Sequence, residues 1–88
     1  MRVDKFDKEQ VIGFVMVKID PVARIIPVYR SLRGMEGIVE MHEITGEFDL
    51  IIKVVAKDIE QLRTVVNQIR SKEGIRGLET IISYHKVV

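Results

Sequence analysis

The stretch ITGEFDLII, residues 44–52, places a carboxylate just past a turn glycine and directly ahead of an aliphatic run. These residue types suit the capture of a zwitterion. Gly46 lets a ligand approach the backbone closely, and turn amides hold a carboxylate. Asp49 supplies a fixed negative charge for an ammonium group, and the aliphatic neighbours line a pocket for a side chain. Together they describe a site for a free α-amino acid. The same carboxylate has a second use, which is to accept hydrogen bonds from hairpin amides and simply hold the turn.

These residues need a scaffold, and the apolar pattern around them supplies one. VIGFVMVKI, residues 11–19, is apolar on both faces and reads as a buried central strand, broken by Asp20-Pro21. Ile25, Val28, Tyr29 and Leu32 share one helical face. Pro27 fits that helix only if it starts late, near Arg24, because first-turn amides need no partner within the helix. Gly34 and Gly37 end it. Residues 37–44 alternate and read as a half-exposed strand, Thr45-Gly46-Glu47 is a hairpin turn, and residues 48–56 form a second apolar strand. Asp58 with Gln61 makes a capping box for a second helix, whose apolar face is Ile59, Leu62, Val65, Val66 and Ile69. Residues 78–88 are the last strand, and residues 1–10 an N-terminal arm.

The order β-α-β-β-α-β predicts an α+β, ferredoxin-like plait spanning residues 11–88 as one domain. Its four-stranded antiparallel sheet has the order 4-1-3-2, with two helices on one face. The strands placed in the middle are the most apolar ones. Phe48, Leu50, Ile52, Val54, Leu78, Thr80, Ile82 and Tyr84 are assigned to the helix side. The other face keeps Ile51, Val55, Ile81 and Val87, and such an aliphatic surface predicts a dimer with its sheets face to face, a dimeric α/β sandwich.

Fourteen basic and thirteen acidic residues give a formal net charge of +1, which offers no broad field for nucleic acid or for an anionic membrane. The basic residues of the helices are interleaved with acidic ones, and no strand carries paired aromatics for stacking bases. There is no cysteine, and hence no thiolate chemistry; a cytoplasmic location is expected. No apolar run reaches the ~18 residues of a membrane span. His42 and His85 fall on opposite edge strands, ~14 Å apart at ~4.8 Å per strand, too far to share a metal within one chain. No hydroxyl has a histidine at a spacing suited to a nucleophile, and no phosphate loop or paired-acid motif occurs. Neither catalytic residues, nor a metal, nor a cofactor is expected.

The stretch GIVEMHEITGEFDLIIKV, with its Thr-Gly-x-x-Asp core inside the passage Val39 to Val55, together with Thr80-Ile81-Ile82, resembles the RAM (regulation of amino acid metabolism) domain, the effector half of Lrp/AsnC-type transcription regulators. That resemblance implies dimers assembling into higher oligomers, an octamer being the expected size, with a small amino acid effector bound between dimers. It maps Gly46, Glu47, Phe48 and Asp49 onto the effector-contacting turn, and Thr80, Ile81 and Ile82 onto last-strand positions that shape the pocket. The chain is similar to stand-alone versions of the domain, without a DNA-binding half, so the expected role is ligand sensing, self-assembly and modulation of a full-length Lrp/AsnC-type regulator. Two other readings fit a dimeric plait: a small α+β-barrel enzyme of the monooxygenase type, and a pure assembly module with no ligand.

Overall fold

The computed structural model describes residues 10–88. The N-terminal arm expected over residues 1–10 lies, apart from Gln10, outside the described residues. Strand β1, Val11–Ile19, is rich in β-branched residues and buries Val15, Val17 and Ile19 on one face. A 3-10 turn, Val22–Arg24, leads into helix α1, Ile25–Leu32. The late start expected from Pro27 is what is found: the proline is the third residue of α1, where a missing N–H breaks no hydrogen bond. Strand β2, Ile38–Glu43, and strand β3, Leu50–Ala56, form a hairpin. Helix α2, Ile59–Arg70, and strand β4, Ile75–Ser83, complete the chain.

The sheet runs β2-β3-β1-β4, which is the expected 4-1-3-2 order read from the other edge. All three strand pairs are antiparallel. Leu50, Ile52, Val54 and Ala56 of β3 interleave with the buried residues of β1, and both meet Val28 and Leu32 of α1 and Leu62, Val65, Val66 and Ile69 of α2. Among the described residues, no helix lies on the other face of the sheet. Registers Ile12 to Val55, Phe14 to Ile81 and Met16 to Ile51 bring these apolar side chains together there, as expected for that face.

Local details follow from hydrogen-bond accounting. The Asp58 carboxylate caps α2 by accepting from Gln61 N–H at 2.8 Å. Gln61 Oε1 in return accepts from Lys57 N–H, one residue ahead of the cap. Gly13 sits under α2: a Cβ there would lie 2.9 Å from Leu62 Cδ1, so the missing side chain lets the helix settle on β1. The Tyr29 hydroxyl donates to the Glu43 carboxylate and ties α1 to β2. Burial first, then that hydrogen bond and the neighbouring negative charge, push the Tyr29 hydroxyl up to about 12. Along β2 the register shifts between Ile38 and Glu40, leaving Val39 as an extra residue at the sheet edge, 55% exposed.

Three boundaries differ from the sequence expectation. Strand β3 starts at Leu50, so Phe48 and Asp49 belong to the preceding loop. Strand β4 starts at Ile75, immediately after the Gly74 turn. It stops at Ser83, the partner of Ile12, and Tyr84, assigned to the helix side, is instead 96% exposed.

Candidate functional site

The first cluster of expected site residues is the β2–β3 loop. Gly46 adopts φ 112°, a left-handed conformation, and a Cβ there would meet nothing within 4 Å. It is needed for the shape of the turn and not for space. Asp49 closes the loop with three hydrogen bonds. Its N–H donates to Val17 O at 2.8 Å, its carbonyl accepts from Ile44 N–H at 3.0 Å, and its Oδ2 accepts from Ile19 N–H at 2.8 Å. Strand β1 outruns β3, whose ladder with it ends at Val17 and Leu50. The Asp49 side chain then stands in for a backbone acceptor and satisfies the next inward amide of β1. The carboxylate thus has the structural use foreseen for it, but toward the neighbouring strand and not toward its own hairpin. Its second oxygen, Oδ1, makes no hydrogen bond among the described residues.

Beside this corner lies an open cleft of about 340 Å³ lined by Lys18, Glu47, Phe48, Arg76, Gly77 and Leu78. Arg76 is committed to Asp20 Oδ2 at 2.7 Å. Lys18 is exposed.

The second cluster splits. Thr80 pairs with Val15 and Ile82 with Gly13, so both lie on the helix side of edge strand β4. With Ile59, Leu62, Arg63 and Val66 of α2 they line a groove of about 180 Å³ between helix and sheet edge. Ile81 pairs with Phe14 on the opposite, uncovered face and is 53% exposed. The structure therefore brings Gly46, Glu47, Phe48 and Asp49 together, brings Thr80 together with Ile82, and separates the two groups. Three to five residues of strand at ~3.3 Å and two strand spacings of ~4.8 Å put them on the order of 15 Å apart.

Arg63, Lys18 and Arg76 were missed as lining residues. Arg63 had a signal. Ile59, Leu62, Arg63 and Val66 stand at i, i+3, i+4 and i+7, so the cation occupies one slot of the same face as the aliphatics. Lys18 and Arg76 had none, since only the sheet order brings β1's end and β4's start beside the loop.

Among the described residues, no group of histidine and acidic side chains is placed to hold a metal ion. No helix there is long and apolar enough to cross a membrane.

A family model described as the Lrp/AsnC ligand binding domain matches residues 12–88. Homocitrate synthases of Saccharolobus islandicus and Saccharolobus solfataricus are 33% identical over 79 residues, covering 90% of this chain but only 17% of theirs. The chain thus spans about a sixth of the length of these curated relatives. Among solved structures, AsnC of E. coli superposes with a TM-score of 0.86 at 21% identity, covering 100% of this chain and 60% of that one. A protein of Thermus thermophilus gives 0.82 at 28% identity, covering 89% and 98%. A transcriptional regulator of Neisseria meningitidis, solved as an L-Met complex, gives 0.84 at 14% identity, covering 100% and 58%.

Proposed function

The chain belongs to the Lrp/AsnC ligand binding domain family, and from that premise we propose that it binds a small amino acid at a contact between protomers and assembles as it does so. The observation that carries this reading is the split site. Gly46 to Phe48 offer turn amides, and Asp49 offers a carboxylate oxygen that is free among the described residues. Thr80 and Ile82 offer a groove on the order of 15 Å away on the same chain. An amino acid carries its ammonium and carboxylate on one carbon, so it reaches both clusters only where two protomers meet. The Neisseria meningitidis regulator of the same fold was solved as an L-Met complex, which supports an amino acid as the ligand class.

The uncovered sheet face supports the first step of assembly. Phe14, Met16, Ile51 and Ile81 cluster there, and pairing two such faces makes the α/β sandwich dimer. Dimers then associate, an octamer being the expected size, and place the corner of one against the groove of another. A ligand held across that contact stabilises the assembled state by mass action, so binding and assembly are linked. In a full-length Lrp/AsnC-type regulator, mixed assembly would pass the ligand's effect to the DNA-binding half.

A thermal-shift screen against the twenty amino acids, with light scattering on each hit, tests the reading. A ligand that raises the melting temperature and increases the mass supports it. No shift at millimolar ligand would sink it and leave a pure assembly module.

The match to homocitrate synthases favours a second reading, in which the domain reports amino acid concentration to an enzyme. Native mass spectrometry of a mixture with a full-length Lrp/AsnC-type regulator separates the two. Mixed complexes are expected only if the partner is a regulator.

A further inference from the structure

The α2–β4 groove differs from the corner in what it lacks. Its lining has four aliphatic side chains, one hydroxyl and one cation, Arg63, and no carboxylate. The corner loop has Glu47 and Asp49 and no basic residue. The groove thus holds a cation and the loop two carboxylates, while Lys18 and Arg76 border the cleft beside that loop. We infer that Arg63 is the carboxylate anchor of the amino acid ligand and that Leu62, Val66 and Ile82 receive its aliphatic side chain, while the Asp49 corner of a neighbouring protomer takes the ammonium. This rests on the amino-acid-binding reading above and names the part of the site that selects the ligand.

Three observations support the assignment. Arg63 is exposed and makes no ion pair or hydrogen bond among the described residues, a freedom it shares with Arg30 in α1 and Arg33 just after it but not with Arg24, Arg70 and Arg76, and it is the arginine that lines the groove. Its guanidinium is planar and forked, and such a group grips a carboxylate through two parallel hydrogen bonds. The groove measures about 180 Å³, and a cavity of about 150 Å³ is enough for a benzene-sized group. A branched four-carbon side chain fits. The walls carry only Thr80 as a neutral polar group, so an amide side chain would lose its water for a single partner, and an acidic one would compete with the ligand's own carboxylate for Arg63.

Arg63 also explains why ligand and assembly should act together. An exposed guanidinium holds a carboxylate weakly in water. Covering the groove with a second protomer removes that water and strengthens the pair. The cation therefore becomes an effective anchor only in the assembled state.

The competing anchor is Lys18, in the cleft beside the corner. The experiment uses calorimetric titration of the whole chain with L-leucine, L-alanine and L-leucinamide, which lacks the carboxylate. The variants are Arg63→Gln, Arg63→Lys and Lys18→Gln. All three change exposed side chains, and melting curves without ligand check that each folds. The wild type is expected to bind leucine at least about tenfold more tightly than alanine, since each methylene in an apolar pocket is worth roughly tenfold or more. It should also prefer leucine to leucinamide. Arg63→Gln should weaken leucine at least about tenfold and erase the preference over leucinamide. Arg63→Lys should keep part of it, and Lys18→Gln should behave as wild type. If leucine binds Arg63→Gln as it binds the wild type, or if Lys18→Gln is the variant that fails, the anchor is misassigned while the sensing reading stands. If the wild type prefers an acidic or aromatic amino acid to every aliphatic one, the side-chain assignment falls. If no amino acid binds the wild type, the sensing reading itself falls.

Discussion

Asp49 carries two loads that substitution can separate. Its Oδ2 satisfies Ile19 N–H at 2.8 Å, and its charge is assigned to the ligand's ammonium. Replacing it with alanine leaves a partly buried amide without an acceptor, which costs about 1–3 kcal/mol. In a domain of this size each 1 kcal/mol moves the melting temperature by about 4–8 °C, so a mid-range loss of about 2 kcal/mol lowers it by roughly 8–16 °C. Replacing it with asparagine keeps an oxygen at the same place and removes only the charge. A charge-assisted hydrogen bond exceeds a neutral one by about 0.5 kcal/mol or somewhat more, so Asp49→Asn should fall by roughly 2–4 °C. Ligand response should not separate the two. Both variants lose the ammonium contact, and each should bind the amino acid at least about tenfold more weakly, equivalent to about 1.4 kcal/mol. The assay is calorimetric melting with and without amino acid, at one protomer concentration because assembly contributes to stability. An Asp49→Asn protein with a wild-type ligand response would refute the ammonium role. An Asp49→Ala protein as stable as Asp49→Asn would refute the structural one.

Phe14→Glu puts a charge in the middle of the uncovered sheet face, and sedimentation should report monomers where the wild type gives dimers or larger species; an unchanged mass would remove that face from the assembly. Leu50→Ala empties a fully buried position and should destabilise the chain by about 2–5 kcal/mol in denaturant titration. In a Tyr84→Phe background, the tyrosinate absorbance of Tyr29 should rise near pH 12 and not near the ordinary pH 10. Because the folded pKa is the higher one, this group's stabilisation is complete below about pH 10 and is lost between pH 10 and 12, so Tyr29→Phe should flatten the fall in stability across that window.

Much of the fold was legible because burial leaves a direct trace in residue type. Leu50, Ile52 and Val54 alternate with Ile51, Lys53 and Val55, and the structure buries the first set as read. The sheet order followed from the order of the elements, and β1 and β3 being the most apolar strands agreed with it. The start of β3 was not legible, because Phe48 and Asp49 continue the pattern while their partners on β1 do not continue the ladder. Tyr84 was misread for the matching reason: β4 loses its partner at Ser83, and nothing in SYHKVV records where β1 begins to pair. The site was half legible. The Thr-Gly-x-x-Asp sequence marked the loop, but the gap of about 15 Å to Thr80 and Ile82 depends on which strands are neighbours. Arg63 was visible in the helix period, but the acidic residues interleaved with the helix cations hid it as a ligand group.

The extra residue at Val39 bears on how copies of this chain can join by backbone pairing. It bends the outer margin of β2 out of line, so that margin is a poor template for an incoming strand. The opposite margin, along β4, has its own shift at Arg76, near its start, but then keeps an even register over the seven residues that pair with Ile12 to Lys18. A sheet with two usable margins can grow into a fibre, each newcomer offering a fresh end. A sheet with one usable margin can join a single copy of itself and then has nothing left to extend. For a chain rich in aliphatic strands, that asymmetry limits runaway polymerisation to a self-terminating pair.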